Sequence, residues 1–578
     1  MSAAGMGSPR PLPWRWASRA IWWIEHEFER AKAENRPADS VRFRMVFILA
    51  VFIAGFTALA LGAARAALSP QHSGLGLVLP AGSRADLVDR NGALLAVDLP
   101  VYDLYLDPAL DWNYAETRRV LAPLIPAAAL TRVDETLTGK KRQKIFGPFP
   151  QAVRDRIDSM GLPGVSFEAE AGRSYPLGSE ASHMIGFVRN DGQGMLGAEG
   201  ALDKQIRAQA GAAPVVLSLD LKVQAALEDE LQKTLVRHSA KAGVGLVTNI
   251  RTGEILGMAS LPDTTPDKLA LDTNVGLNRA ASGRYEMGST FKIFTLAAGL
   301  DSGKVTLESK YDVGNPLVIP GQTIHDSHKE SGFFNLHDVF VHSSNIGAAR
   351  MALEVGGDTI SSYFDKFGLL KAAPIELRET ASPIARGPWN TSAVANRAFG
   401  HGISVSPLAL AAGVGAIMNG GRYVPLTIVK RDGPPPAGRQ VISPQTSALM
   451  LGLMRDNVVQ GTGKPAELAA PGFSIGGKTG TAEVPKNGVY LKTTLVSSFA
   501  AVFPTDAPAG ADKYFVLILV DEPEVSAEEP GRPTGSIVAA PTVGRVINRI
   551  APFLSVTRRA TAPQTVAAGA DSDDGNER

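Results

Sequence analysis

A serine hydroxyl becomes a useful nucleophile only when a base takes its proton, and an amine can be that base once burial or a nearby cation lowers its pKa. Gly288-Ser289-Thr290-Phe291-Lys292 supplies both groups just ahead of the apolar run Ile293 to Leu300. If this run is helical, Ser289 and Lys292 share one face and can interact. That spacing alone recurs by chance in a chain of this length, and two further stretches give it weight. Ser343-Ser344-Asn345 precedes Ile346-Gly347-Ala348-Ala349, and Lys478-Thr479-Gly480-Thr481 follows Gly476-Gly477. Ser343 can relay a proton, because a hydroxyl both donates and accepts. Asn345 could hold a substrate amide and Lys292 in register. Gly480 lets a strand come close to a ligand. Lys478 offers positive charge, and the hydroxyls of Thr479 and Thr481 can donate to a carboxylate. The chemistry indicated is acyl transfer through Ser289 from a peptide with a free C-terminal carboxylate. Lys292 is the candidate base, and Lys478 is the cation that could keep it neutral.

These residues need elements to bring them together. The chain has 578 residues, room for several domains, and a formal net charge of +1, which leaves no overall field to attract nucleic acid. It has no cysteine, so disulfides, thiol catalysis and thiolate metal sites are excluded. Nine histidines occur without a His-Glu-x-x-His arrangement, and a zinc hydrolase has little support.

Residues 1 to 44 carry seven Arg and one Lys against five acids, with four of the six tryptophans. Trp14, Ala17, Ile21, Ile24, Phe28 and Ala31 recur at helical spacing, which suits a helix on a membrane surface or against a partner; a short amphipathic helix without a specific role fits equally. Met45 to Ala64 is uncharged over twenty residues, enough helix to cross a membrane. A cleaved signal peptide is the competing reading, but the run is long and starts far from the N-terminus. The arginines ahead of it predict a cytoplasmic N-terminus with the rest of the chain outside. Ala50, Ala54, Ala58 and Gly62 form a small-residue face on which a second membrane helix could pack.

Residues 65 to 213 read as a linker followed by a pedestal region. Asn91-Gly92 between apolar stretches predicts a hairpin. The basic run Lys140-Lys141-Arg142-Gln143-Lys144 suits either a solvated face or an anionic partner. Residues 214 to 555 read as an α+β domain: a strand at Pro214 to Asp220, a helix at Leu221 to Val236, a hairpin of Val244 to Ile250 with Glu254 to Met258, strands at Thr494 to Phe503 and Tyr514 to Val520, and a helix at Pro541 to Phe553. Its antiparallel sheet joins distant parts of the sequence. The polar tail from 556 to 578 is predicted to be disordered.

The three motifs, in this order and with these gaps, resemble the penicillin-binding proteins, the acyl-serine transpeptidases of bacterial cell-wall synthesis. Non-catalytic segments resemble those of the class B members: Arg84 to Gly92, with Ala85 where a Gly is usual; Arg173-Ser174-Tyr175-Pro176-Leu177-Gly178; and Gly194, Gly197 and Glu199. Their Arg and carboxylate residues are expected to orient domains rather than catalyse. Met287 stands where many relatives have Pro.

The resemblance implies a β-lactamase-like transpeptidase fold on a pedestal of the dimerisation type. It also implies a peptidoglycan stem peptide ending in D-alanyl-D-alanine as donor, β-lactams as acylating inhibitors, and the backbone N–H groups of Ser289 and Thr481 as oxyanion hole. No metal or organic cofactor is required. Asn345 and the stretch Phe399 to Leu408 look more like the septal, division-specific enzymes than the elongation ones, which implies a membrane glycan polymerase and other division proteins as partners in the inner membrane. An elongation role, a β-lactamase, a penicillin sensor and a non-catalytic scaffold are the alternatives.

Overall fold

The computed structural model describes residues 83–559, apart from 112, 140, 190, 270–273, 386, 487–488 and 509, together with the helix Pro37–Leu68 and scattered residues between 19 and 34. The chain divides into two units, Met1–Leu79 and Pro80–Arg578.

In the first unit α1 (Pro37–Leu68) runs past both ends of the uncharged stretch, with Pro37 at its start, where a missing N–H costs nothing. Its window Arg44–Leu61 is the one span among the described residues long and apolar enough to cross a membrane. Ala50, Ala54 and Ala58 are exposed along it, while the surroundings of Gly62 lie outside the described residues. So do the six residues of the N-terminal stripe. Trp22 and Trp23 are exposed, and Trp22 stacks on His26.

The second unit begins with the predicted hairpin. β1 (Leu87–Val88) turns through Asp89 to Gly92 into β2 (Leu94–Leu106). Asp89 Oδ1 accepts from the N–H groups of Asn91 and Ala93 and closes the turn, and Gly92 takes the positive φ it needs. β2 pairs antiparallel with β3 (Gln143–Pro150) and with β4 (Val165–Ser174). Three helices (Tyr114–Leu121, Ala127–Thr138 and Gln151–Asp158) contribute to a small core around Leu104, Leu106, Val133, Ile145, Phe149 and Ile157. Two residues of the basic run answer to the sheet itself: Arg142 pairs with Glu168 and stacks on Tyr105, and Lys144 pairs with Asp103.

The stretch read as a strand from Pro214 to Asp220 is only β5 (Val215–Val216), and it lies parallel to β1 rather than in the large sheet. Leu217 continues with a single bridge to Val429. The segment therefore ties the pedestal hairpin to the next domain instead of opening that domain's sheet. Asp89 reinforces the tie by accepting from Leu221 N–H, and Asn91 donates to Asp220, the N-cap of α2 (Leu221–Arg237).

The large sheet contains β6 (Ala242–Asn249), β7 (Ile255–Leu261), β8 (Gly476–Lys486), β9 (Val489–Phe503) and β10 (Tyr514–Asp521) in the antiparallel order β8-β9-β10-β6-β7. Both faces are covered, so its strands read as continuous apolar runs rather than alternating ones. Val247, Phe499, Val516 and Ile518 share one core with α2 and the last helix, Ala539–Ile550. Val244, Leu246, Val502, Phe515 and Leu517 face the other core, with the helices that carry the candidate site residues.

Where the pedestal meets α2, Glu228 accepts from Ala181 N–H and from Gln224 Nε2, at 3.0 and 2.6 Å. Burial pushes its carboxyl up to about 7, and the neighbouring Asp263 and Glu180 carboxylates add to the rise. The folded protein thus keeps a proton that the unfolded chain, titrating near 4.5, has lost. Stability is therefore expected to fall as pH rises from about 4.5 to about 7 and to stay low above that. Glu228→Gln keeps an acceptor without the charge. It should melt higher than wild type at pH 8, by about 2 kcal/mol once partial solvent access is allowed for, and indistinguishably at pH 5. Melting curves at the two pH values test this, and equal differences at both would refute it.

Candidate active site

The turn before the apolar run is a 3₁₀ turn, Gly288–Phe291, which passes into α3 (Lys292–Asp301). Residues three apart eclipse in 3₁₀ geometry, so Ser289 and Lys292 stack more directly than a pure α-helix would place them. Met287, the departure from the family pattern, is buried and accepts from the Thr290 hydroxyl through its carbonyl, so the turn forms without a proline there. Gly288 has a φ of 52°. A Cβ on it would sit 2.4 Å from the Thr481 carbonyl oxygen, and one on Gly400 would sit 2.2 Å from that of Gly288. Three backbones therefore converge immediately before Ser289, which brings the nucleophile turn against Thr481.

Ser343 adopts a left-handed φ of 62° between the helix Leu336–Val341 and α4 (Asn345–Val355). A non-glycine residue there costs of order 1–3 kcal/mol and persists only where its surroundings hold it. Its hydroxyl lies 3.1 Å from Lys292 Nζ and 2.9 Å from Lys478 Nζ. Ser344 caps α4 by accepting from Gly347 N–H and donates to Asp326. Asp326 also accepts from the N–H groups of Asn345 and Ile346.

Lys292 is the hub. Its Nζ is 3.0 Å from Ser289 Oγ and 2.8 Å from Asn345 Oδ1, and it also reaches the Ser343 carbonyl. The side chain is 0 % exposed. Burial holds its amine well below the usual range for lysine, the charge of Lys478 pushes it further down, and Asp326 opposes both. Burial lowers Lys478 to about 7. The arrangement favours a neutral Lys292 beside a Lys478 that keeps a proton in part, as a base next to a serine requires. Of the two causes that the sequence left open, burial contributes more than the second lysine.

Lys478, Thr479, Gly480 and Thr481 lie on β8, an end strand of the sheet, in register with Ala500 to Ser497 of β9. Thr479 Oγ1 is 2.7 Å from that of Thr462, and Thr481 Oγ1 accepts from Gly535 N–H. Asn457, fully buried, donates to the Gly477 carbonyl and fixes the strand's approach. The structure thus brings together the candidate residues of all three motifs. It adds Asp326, Thr462, Asn457 and His401, whose imidazole burial lowers to about 4, with Lys292 contributing. No spacing rule could have found Asp326, a single carboxylate in the loop after the small hairpin of Leu317–Ile319 and Gln322–Ile324.

Comparison with known proteins agrees with this geometry. Residues 243–548 match the penicillin binding protein transpeptidase domain, and residues 80–229 match the penicillin-binding protein dimerisation domain. The chain belongs to the class B penicillin-binding proteins. One relative of this family, the probable peptidoglycan D,D-transpeptidase FtsI of Caulobacter vibrioides, is 48% identical over 97% of this chain and 96% of its own. The peptidoglycan D,D-transpeptidase FtsI of Escherichia coli is 28% identical over 81% and 83%. Among solved structures, penicillin binding protein 3 of Mycobacterium tuberculosis complexed with aztreonam superposes with a TM-score of 0.64 at 25% identity, covering 83% of this chain and 98% of that one.

Proposed function

We propose that this penicillin-binding protein is a serine-type peptidoglycan D,D-transpeptidase. The observation that carries the reading is the buried amine of Lys292, within hydrogen-bond distance of Ser289, Ser343 and Asn345 at once. Lys292 takes the proton of Ser289 as its oxygen attacks the penultimate D-alanine carbonyl of a stem peptide. The N–H groups of Ser289 and Thr481 hold the oxyanion. Ser343, between the two lysines, passes a proton to the departing D-alanine nitrogen. Thr479, Thr481 and the charge of Lys478 hold the terminal carboxylate, and Gly480 keeps the strand free of side chain beside it. An amine of a neighbouring stem peptide then attacks the Ser289 ester, forming the cross-link and freeing the serine. β-Lactams acylate the same oxygen.

Support for a septal role comes from the near full-length similarity to a relative named FtsI. On this reading α1 anchors the chain in the inner membrane with the N-terminus in the cytoplasm, and a glycan polymerase and other division proteins are its partners.

Two measurements test the proposal. Digestion of β-lactam-treated protein should yield one modified peptide, carrying the adduct on Ser289 and persisting for hours. Rapid turnover of the antibiotic would instead indicate a β-lactamase, and absence of an adduct from folded protein would indicate a scaffold. A fluorescent fusion should gather at midcell, and an even distribution along the cell wall would overturn the septal part.

A further inference from the structure

Asp326 lies outside the three motifs, yet it makes three hydrogen bonds at and just after the second of them, as many as Lys292 makes to that motif. One oxygen accepts from the N–H groups of Asn345 and Ile346, and the other accepts from the Ser344 hydroxyl at 2.6 Å. The residue just before it, His325, takes a hydrogen bond from Asn345 Nδ2 on its carbonyl. The first turn of α4 is thus clamped from outside the helix, at the point where the chain leaves the left-handed Ser343. Four N–H groups at a helix start lack partners within the helix, and a carboxylate there satisfies two and matches the positive end of the dipole.

We propose that Asp326 is a positioning residue for acyl transfer: its carboxylate fixes Ser343 and Asn345 around Lys292 and supplies a negative charge that favours the protonated Lys292 amine. The inference rests on the functional reading above. The charged or titratable groups around Lys292 are Lys478 from β8, His401 from the loop after Arg397, and Asp326 from the hairpin loop. Asp326 alone among them favours a protonated Lys292, so it limits how far the amine's pKa can fall and keeps it basic enough to take the serine proton.

Asn in place of Asp can still accept from two N–H groups on its carbonyl oxygen. It cannot accept the Ser344 proton on its nitrogen, and it carries no charge. The test uses full-length protein in detergent and measures the second-order rate of acylation by a fluorescent penicillin from pH 5 to pH 9 for wild type, Asp326→Asn and Ser344→Ala, with the adduct of each mapped. Asp326→Asn should acylate about tenfold more slowly on the plateau, as expected for loss of a charged hydrogen-bond partner, and its acid limb should move to lower pH because the amine has lost an anion that favours its charged form. Ser344→Ala, which removes the bond to Asp326 and the cap on Gly347 N–H but no charge, should slow acylation less and leave the limb in place. A slower Asp326→Asn with an unmoved limb would reduce the residue to a structural clamp and overturn the proposal, as would an unchanged rate. If Asp326→Asn does not fold, a limb that moves in Ser344→Ala overturns it, and a slower rate with an unmoved limb upholds it. An adduct mapped away from Ser289 in wild type would sink the functional reading instead.

Discussion

Ser289→Ala protein is expected to take up no β-lactam at all, whereas Lys292→Met protein should still be labelled at Ser289, about a thousandfold more slowly, the loss typical of removing a general base. Methionine suits the comparison because it is unbranched and fills the buried channel of the lysine stem. It also leaves Ser289, Ser343 and Asn345 without the nitrogen that lies 2.8 to 3.1 Å from each. Lys478 cannot substitute, since it touches Ser343 and no contact joins it to Ser289 among those described. The pH dependence separates the roles. Wild type should lose activity on the acid side as Lys292 protonates, and Lys292→Met should lack that limb. Stopped-flow acylation with melting curves as a fold control decides the matter. Labelling of Lys292→Met within a factor of a few of wild type would mean that the base lies elsewhere, with Ser343 backed by Lys478 the obvious place.

Much of this site could be read from the chain because its chemistry is written in short local motifs. Ser289 and Lys292 are three residues apart, Ser343 and Asn345 two, and Lys478 to Thr481 are contiguous, so each group is placed by one short stretch of chain. The strands β6, β7 and β10 and the helix α2 announced themselves through apolar runs and helical spacing, and the observed bounds differ from the expected ones by a few residues. What stayed hidden depends on contacts across the chain. Asp326 meets Asn345 only because the hairpin folds back on α4, and Asn457 meets Gly477 only because the helix Pro444–Val459 crosses β8. Pro214 to Asp220 looked like a strand entering the catalytic domain, and its pairing with β1 stayed hidden because a β-rich run carries no label saying which partner it pairs with. Similarly, the fall in the Lys292 pKa was foreseeable in direction, but its main cause, complete burial, is a property of packing and not of spacing.

The pedestal's charged residues give a loss of a different kind. Glu199 is 0 % exposed and receives two guanidinium groups: Arg84, through Nε and Nη2, and Arg173, through Nε at 2.6 Å. Asp203 takes the far side of Arg84, and Asp98 the far side of Arg173. Five charges from the segment before β1, from β2, from β4 and from residues 199 and 203 thus hold one joint. Glu199→Ala would leave two buried cations facing a void, with only the outer carboxylates as counter-charges, and should cost about 3–5 kcal/mol. Glu199→Gln, which keeps an acceptor and two donors that now face donors, should cost less than Ala but well above a surface change. The decisive comparison is between stability and chemistry. None of these five residues contacts Ser289, Lys292, Ser343 or Lys478, so the fraction of Glu199→Gln protein that remains folded should be acylated at the wild-type rate per molecule. Denaturant curves give the first quantity, and active-site titration followed by single-turnover kinetics gives the second. If the folded fraction reacts more slowly by tenfold or more, the joint does more than orient the pedestal: its geometry reaches the serine, and the separation drawn between orienting and catalytic residues fails.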